Sequence, residues 1–383
     1  MEYIVMKLLN VAFFCDFFNS LGGTELYNFN LIKNLNDMGI EAQVFILEKP
    51  VKNYWLKKLD EMSVKYHISE METVHSMDPT QINSFITIID KVFKDLPPDI
   101  IYVNPVGYLA KEWIEEKGST IPIVATEWTT PGRETINWYP PNIKEIINGI
   151  DTIIATCEAS KRGIREYFNY KGRVVTIPHI IDSNKIVDLR EEVGSYFSFG
   201  CIARLSIEKG IHFLIASFRI VVDTYREATL HIYGAGDEKK SLENLIVALN
   251  LQENVFLKGT FLGNAEYANI LKTHRLFCQP SLFESIPTSL IELVLSRKTV
   301  IATDVGGVSE LIGEEIGTGY LVKPYHVEAL ALKIIEVIAS IEKHGQLNLD
   351  PDFEEIANKY NTKINLMKIL ETFEMNINRK GAK

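Results

Sequence analysis

The stretch Lys7-Leu8-Leu9-Asn10-Val11-Ala12-Phe13-Phe14, then Gly22-Gly23-Thr24, and then Glu41-Ala42-Gln43-Val44-Phe45-Ile46-Leu47 after Gly39 reads as strand, glycine break, helix and strand. A β-rich apolar run followed by a helical pattern and a second run is one βαβ unit, and such units build parallel sheets. The pattern repeats along the chain. Ile82, Phe85, Ile86, Ile89, Val92, Phe93 and Leu96 fall on one helical face. Pro97-Pro98 ends that helix, and strands follow at Asp99 to Val103, Ile121 to Thr126 and Thr152 to Thr156. After a polar stretch from about Ile181 to Ser195 the alternation resumes. Its strands are Ser198 to Ala203, Thr229 to Tyr233, Asn254 to Leu257, Leu276 to Gln279, Thr299 to Thr303 and Gly319 to Val322.

The expected class is therefore α/β, with two Rossmann-like doubly wound domains. The N-terminal domain spans residues 1–184 and the C-terminal one residues 185–350, with a last helix over 353–375 free to pack on either. The 383 residues leave room for two or three domains. Forty basic against fifty acidic residues give a net charge of −10, which speaks against a nucleic-acid partner. No apolar run is long enough to span a bilayer, and the first residues lack a signal-peptide pattern. Cys15, Cys157, Cys201 and Cys278 form no Cys-x-x-Cys pair and read as buried thiols of a cytoplasmic protein. The lysines at 49, 52, 57, 58 and 65 cluster in one stretch and leave a peripheral membrane contact open, against the plainer reading of a solvated face.

Three segments could carry chemistry. In Gln279-Pro280-Ser281-Leu282-Phe283-Glu284-Ser285-Ile286-Pro287-Thr288-Ser289-Leu290-Ile291-Glu292, a strand runs into a loop and then a helix. With Pro287 at the first helical position, the amides of Thr288, Ser289 and Leu290 would be open to a phosphate. Glu284 precedes the helix, and Glu292 lies in its second turn. Two such glutamates are often only a loop and a helix face, but Glu292 is set among Leu290, Ile291, Leu293 and Val294. It is expected to have a dedicated partner. In the second segment, Arg204 and Lys209 follow the strand ending at Ala203 and suit a diphosphate; the competing reading is a surface pair with Glu208. The third segment is Gly22-Gly23, where backbone can approach a ligand closely or simply turn. Gly234-Ala235-Gly236 lacks the third glycine of a dinucleotide fingerprint, and nothing in the histidine or cysteine spacing indicates a metal.

Glu284 with Glu292, Arg204 with Lys209, Gly22-Gly23 and Thr303-Asp304-Val305-Gly306-Gly307 together resemble the retaining glycosyltransferases of family 4. The resemblance implies a GT-B fold, two Rossmann-like domains facing across a cleft, with the last helix crossing back to the N-terminal domain. It implies transfer of a hexose from a nucleotide diphosphate sugar, UDP-sugar favoured, to a carbohydrate or glycolipid acceptor in polysaccharide or cell-envelope glycan synthesis. Glu284 would hold the donor sugar, while Arg204 and Lys209 neutralise the diphosphate. Backbone after Ser285 and Ile286, with Thr288, Ser289, Gly22 and Gly23, would assist at the phosphates. Glu292 would hold the ribose, and Gly259, Thr260 and Phe261 would border the base. No cofactor or metal is then needed, since cations and helix N-termini stabilise the leaving group.

Where such enzymes often carry a histidine, this chain has Trp128, so Glu127 and Trp128 are the acceptor-side candidates. Arg297-Lys298-Thr299 replaces the usual Gly-x-Pro and would leave that helix end without its glycine cap. His179 stands where an asparagine or glycine-rich turn is usual. The loop Thr129 to Pro141 has no counterpart and reads as a sugar-binding or a packed surface loop. An epimerase acting on a nucleotide sugar and a catalytically silent nucleotide-sugar-binding protein are the alternative functions.

Overall fold

The computed structural model describes residues 9–15, 18, 23–51, 53–72, 79–104, 121–135, 139, 143–181, 186–187, 189, 195–261, 263–345, 347 and 349–381. Two compact units are formed, one from Met1–Ile180 with Asn361–Lys383 and one from Ile181–Tyr360. Most of the polar stretch expected to hold the boundary, including Asp182, Asn184 and Asp188, lies outside the described residues.

The first unit carries strands β1 (Asn10–Cys15), β2 (Glu41–Glu48), β3 (Lys65–Met71), β4 (Ile100–Val103), β5 (Ile123–Glu127), β6 (Thr152–Ala155) and β7 (Arg173–Thr176). They form one parallel sheet in the order β3-β2-β1-β4-β5-β6-β7. β3 and β7 escaped the sequence reading because both are edge strands with polar, partly exposed faces. Helices α1 (Gly23–Asp37), α2 (Tyr54–Glu61), α3 (Pro79–Asp95), α4 (Ile143–Ile146) and α5 (Glu158–Glu166) belong to this unit. Ile82, Phe85, Ile86 and Ile89 of α3 are buried in one core, as the helical spacing requires.

The second unit carries β8 (Ser195–Ile202), β9 (Thr229–Tyr233), β10 (Val255–Gly259), β11 (His274–Gln279), β12 (Thr299–Thr303) and β13 (Gly319–Val322). These are parallel in the order β10-β9-β8-β11-β12-β13. Helices α6 (Ile211–Thr224), α7 (Lys239–Ala248), α8 (Asn264–Thr273), α9 (Thr288–Leu295) and α10 (Val327–His344) connect or cover the strands. Both sheets are thus Rossmann-like, and in each the strand order reverses beside the unit's first strand. In the second unit that reversal lies between β8 and β11, and ligands of open α/β sheets bind outside the carboxyl ends of strands at such a point.

The single last helix expected over 353–375 is two. α11 (Phe353–Lys359) stays in the second unit, where the Arg297 guanidinium lies 4.1 Å from the Phe353 ring centre. α12 (Thr362–Gly381) belongs to the first, where Leu366, Ile369, Leu370 and Phe373 enter the core. The break has a local cause: the Asn361 side chain accepts the Ile364 amide at 3.0 Å and so starts a new helix.

The end of α9 also differs from expectation. Lys298 N donates to Leu293 O at 3.0 Å and Arg297 N to Val294 O at 2.9 Å, the pair of bonds that closes a helix normally ending in glycine. Arg297 takes the left-handed conformation itself, with φ 61°. The cap is made without glycine, at the cost of local strain.

Candidate active site

β11 ends at Gln279 and hands the chain to a short loop tied down on both sides. The Thr303 hydroxyl, at the end of β12, donates to the carbonyls of Gln279 and Ser281. Gly307 N donates to Ser285 O at 2.8 Å, so the Thr303 to Gly307 turn braces the Glu284 loop. Within this loop the Ser281 hydroxyl donates to Glu284 Oε1 at 2.9 Å. Lys209 Nζ reaches the same oxygen at 2.5 Å, with the two side chains only 15% and 11% exposed. An ion pair this sheltered is held by geometry as much as by charge. The structure therefore joins the two segments singled out separately in the sequence.

Lys209 is placed by a single helical turn, Ile207–Lys209, and by Gly210. Gly210 has φ 62°, and a Cβ there would sit 2.0 Å from Pro280 O. Leu282 N donates to Glu208 O at 2.8 Å, which knits the Lys209 turn to the Glu284 loop. Arg204 is arranged differently. Its guanidinium lies 3.3 Å from Glu208 Oε1 and its side chain is 61% exposed, the surface pair that competed with the diphosphate reading. Burial raises the Glu208 carboxyl, but the Ser206 hydroxyl and the charges of Arg204 and Lys209 outweigh it and hold the pKa below the usual value. Gly234 packs against the same strand end, since a Cβ there would meet Ala203 O at 1.8 Å. The Gly-Ala-Gly run is thus a close-packing device, which explains its incomplete resemblance to a dinucleotide fingerprint.

Pro287 is the capping residue just before α9, with extended backbone, and not its first helical residue. Leu290 and Ile291 both donate to Pro287 O, at 3.0 and 3.2 Å. Of the three amides expected to be open, Leu290's is therefore already used. Thr288 and Ser289 remain in the first turn, where the helix dipole favours an anion. One turn on, Glu292 is buried and faces Tyr267 of α8. Burial first, and then the charge and hydrogen bond of Glu292, push the Tyr267 phenol well above its ordinary pKa. The Phe261 ring stacks on Tyr267 with centroids 5.5 Å apart. Gly259 at the end of β10, Thr260, Phe261, Tyr267 and Glu292 therefore make one continuous margin. Tyr267 was missed from sequence because it lies at helical spacing with Ile270 and Leu271 and looks like plain core.

In the first unit, Gly22 lies outside the described residues, and Gly23 is exposed as the first residue of α1. Trp128 follows β5 and packs between Tyr27 and His179, at 4.4 and 5.0 Å between ring centres. Its indole N–H donates to Asn104, whose own amide donates to Asn28 at 2.5 Å. Glu127 is buried, and its Oε1 accepts from Thr129 N, Thr129 Oγ1 and Tyr139 OH at 2.8–2.9 Å. Burial pushes its carboxyl up against the pull of those bonds. The described part of the Thr129 to Pro141 loop is packed: Pro131 lies so close to α5 that a Cβ on Gly163 would meet its carbonyl at 2.4 Å. Residues 136–138 and 140–141 lie outside the described residues.

Among the lysines of the basic stretch, Lys49 pairs with Glu70, Lys58 with Glu61 and Lys65 with Glu41, while position 52 lies outside the described residues. Each pair is solvent-exposed, and Lys57 of α2 is exposed as well. No helix among the described residues is long and apolar enough to cross a membrane. Nor do the described residues contain a group of three His, Cys, Asp or Glu able to hold a metal ion. All four cysteines are buried.

Two family models match the chain: Glycosyltransferase Family 4 over residues 21–185 and Glycosyl transferases group 1 over residues 188–348. Among curated relatives, an uncharacterized glycosyltransferase of Methanocaldococcus jannaschii is 34% identical over 40% of this chain and 40% of its own length. The poly(ribitol-phosphate) alpha-N-acetylglucosaminyltransferase of Staphylococcus aureus is 29% identical over 60% of this chain and 45% of its own length. The matched stretches thus span less than half of these relatives. Anabaena HepE, solved with UDP-glucose, has a TM-score of 0.76 at 18% identity, covering 96% of this chain and 100% of that one. Sucrose-phosphate synthase from Thermosynechococcus elongatus has a TM-score of 0.78 at 17% identity, covering 96% and 98%. At such identities the likeness is one of fold.

Proposed function

The chain belongs to the GT-B glycosyltransferases, and we propose that it is a retaining hexosyltransferase that uses a UDP-sugar and a carbohydrate or glycolipid acceptor. The observation that carries the reading is the sheltered Lys209–Glu284 pair at the carboxyl ends of β8 and β11, just ahead of α9. Without donor, Glu284 neutralises Lys209. When the donor binds, its diphosphate becomes the partner of Lys209, and Glu284 is released to accept from sugar hydroxyls. Arg204 swings from Glu208 to the same diphosphate, aided by amides of the Ser285 to Ser289 segment. Glu292 takes the ribose hydroxyls beside Tyr267, and Gly259, Thr260 and Phe261 border the base. Glu127 and Trp128 serve the acceptor side.

The bond from the anomeric carbon to the phosphate oxygen breaks as the acceptor oxygen attacks from the same face. The departing phosphate then takes the acceptor's proton. Once Arg204 and Lys209 have turned to the diphosphate, their charges and the dipole of α9 stabilise the leaving group, the kind of contact from which such sites gain most of their rate. Two relatives whose names specify alpha-linked transfer, to poly(ribitol phosphate) and poly(glycerol phosphate), support retention and a cell-envelope glycan as the acceptor class. Acceptor-dependent release of UDP from UDP-glucose or UDP-N-acetylglucosamine is the direct test. Release without acceptor would instead favour an epimerase. A silent nucleotide-sugar binder is the second reading, favoured by Trp128 being locked against Asn104, Tyr27 and His179. It predicts UDP-sugar binding with no turnover.

Two further outcomes are expected. Glu292→Ala weakens binding of plain UDP about ten- to hundredfold, as loss of a charged hydrogen bond costs roughly 1.5–3 kcal/mol. Calorimetry on the folded variant checks this, and unchanged affinity would remove Glu292 from the ribose. Turnover also survives thorough chelation, because Arg204, Lys209 and the start of α9 supply the positive potential. Activity lost in chelator and restored by magnesium would contradict that.

A further inference from the structure

The segment Arg297-Lys298-Thr299 is left unused by the proposed transfer chemistry, yet it lines a cavity of about 490 Å³ with Val294, Leu349 and Phe353. The cavity lies where β12 begins and just before β13, at the opposite end of the sheet from Glu284. Lys298 is 5% exposed. Among the described residues no carboxylate pairs with it and no hydrogen bond is made by its amine. Burial, and then the charge of Arg275, draw its pKa down to about 8. The described lining carries a second cation, Arg297, and no Asp or Glu. Arg297 is also held in a left-handed backbone that an arginine adopts only under strain.

A largely buried ammonium without a counter-charge is costly, and it either gives up its proton or takes an anion as its partner. We propose that this cavity is an oxyanion site that takes the phosphate group of a small metabolite, with Lys298 as its charge partner. Lysine serves phosphate as a compact point charge, and the apolar walls of Val294, Leu349 and Phe353 suit a short organic moiety beside it. The site is separate from the donor site. Glu284 precedes α9 and Lys298 follows it, and the helix between them is about 12 Å long by its eight residues.

The test is calorimetric titration of the full chain with inorganic phosphate and, separately, with glycerol 3-phosphate, at constant ionic strength. Phosphate could also reach Lys209, so Lys209→Met is titrated in parallel. The expected result is saturable binding that persists in Lys209→Met and weakens at least tenfold in Lys298→Met. Tighter binding of glycerol 3-phosphate than of phosphate would identify a phosphorylated metabolite as the natural occupant, and equal binding would identify phosphate itself. Lys298→Gln, which keeps a polar tip, serves should the methionine variant fail to fold. Equal affinity in wild type and the Lys298 variants, or no saturable binding in wild type, overturns the proposal. Failure here leaves the transfer reading intact, since the donor assay does not involve Lys298.

Discussion

Glu284→Gln is expected to slow sugar transfer about 10²–10³-fold, the size of loss seen when one transition-state contact is removed. The side chain sits in the loop ahead of α9, with one oxygen shared by Lys209 and Ser281. Glutamine is nearly isosteric and keeps an acceptor for Lys209 Nζ, but it removes the charge that orders the pair and that would hold the sugar hydroxyls. Some stability is lost with it, because breaking a sheltered pair leaves Lys209 less well compensated. Initial rates and thermal unfolding should therefore be measured on the same preparations, with rates taken well below the unfolding midpoint. UDP binding should be retained through Lys209, Arg204 and Glu292. A folded variant with wild-type rate would remove Glu284 from the reaction.

Gly210→Ala is expected to destabilise the second unit by about 2–4 kcal/mol, combining the left-handed backbone penalty with overpacking. The new methyl would lie 2.0 Å from Pro280 O, a backbone atom that cannot step aside. Gly345→Ala is the control. Its φ of 75° is equally left-handed, but nothing lies within 4 Å of the added Cβ. It should cost only about 1 kcal/mol. Urea unfolding of the two variants separates the terms, and equal losses would show that crowding against Pro280 contributes nothing. Because Gly210 and Pro280 hold the Lys209 turn and the Glu284 loop together, the alanine variant should also lose transfer activity beyond its loss of folded protein.

Much of the fold was legible because the decisive signals are local. Thr229–Tyr233, Thr299–Thr303 and Gly319–Val322 have the strand bounds that their apolar runs suggested. Edge strands such as Lys65–Met71 were hidden because exposure on one side lets polar residues in and blurs the pattern. The last helix reads as one element because Phe353, Ile356, Tyr360, Met367, Leu370 and Phe373 share a helical period, although Met367 is exposed. Only the Asn361 cap and the two separate cores divide it.

The site was legible in the same uneven way. Sequence spacing placed Arg204, Lys209 and Glu284 at strand ends and Glu292 inside an apolar helix, since the alternation of strand and helix determines which residues fall after a strand. It could not say which charges meet. Lys209 and Glu284 are 75 residues apart, and they pair because β8 and β11 are neighbours in the sheet and Gly210 allows the two loops to touch. Arg204, with equal claim by spacing, is drawn to Glu208 instead. The partner of Glu292 comes from α8, a helix whose sequence looks like ordinary core. By itself, then, the sequence determined the alternating architecture, because strand and helix periods are properties of short segments. The pairing of buried charges was decided only by the tertiary structure, because desolvation and reach depend on which strands lie side by side.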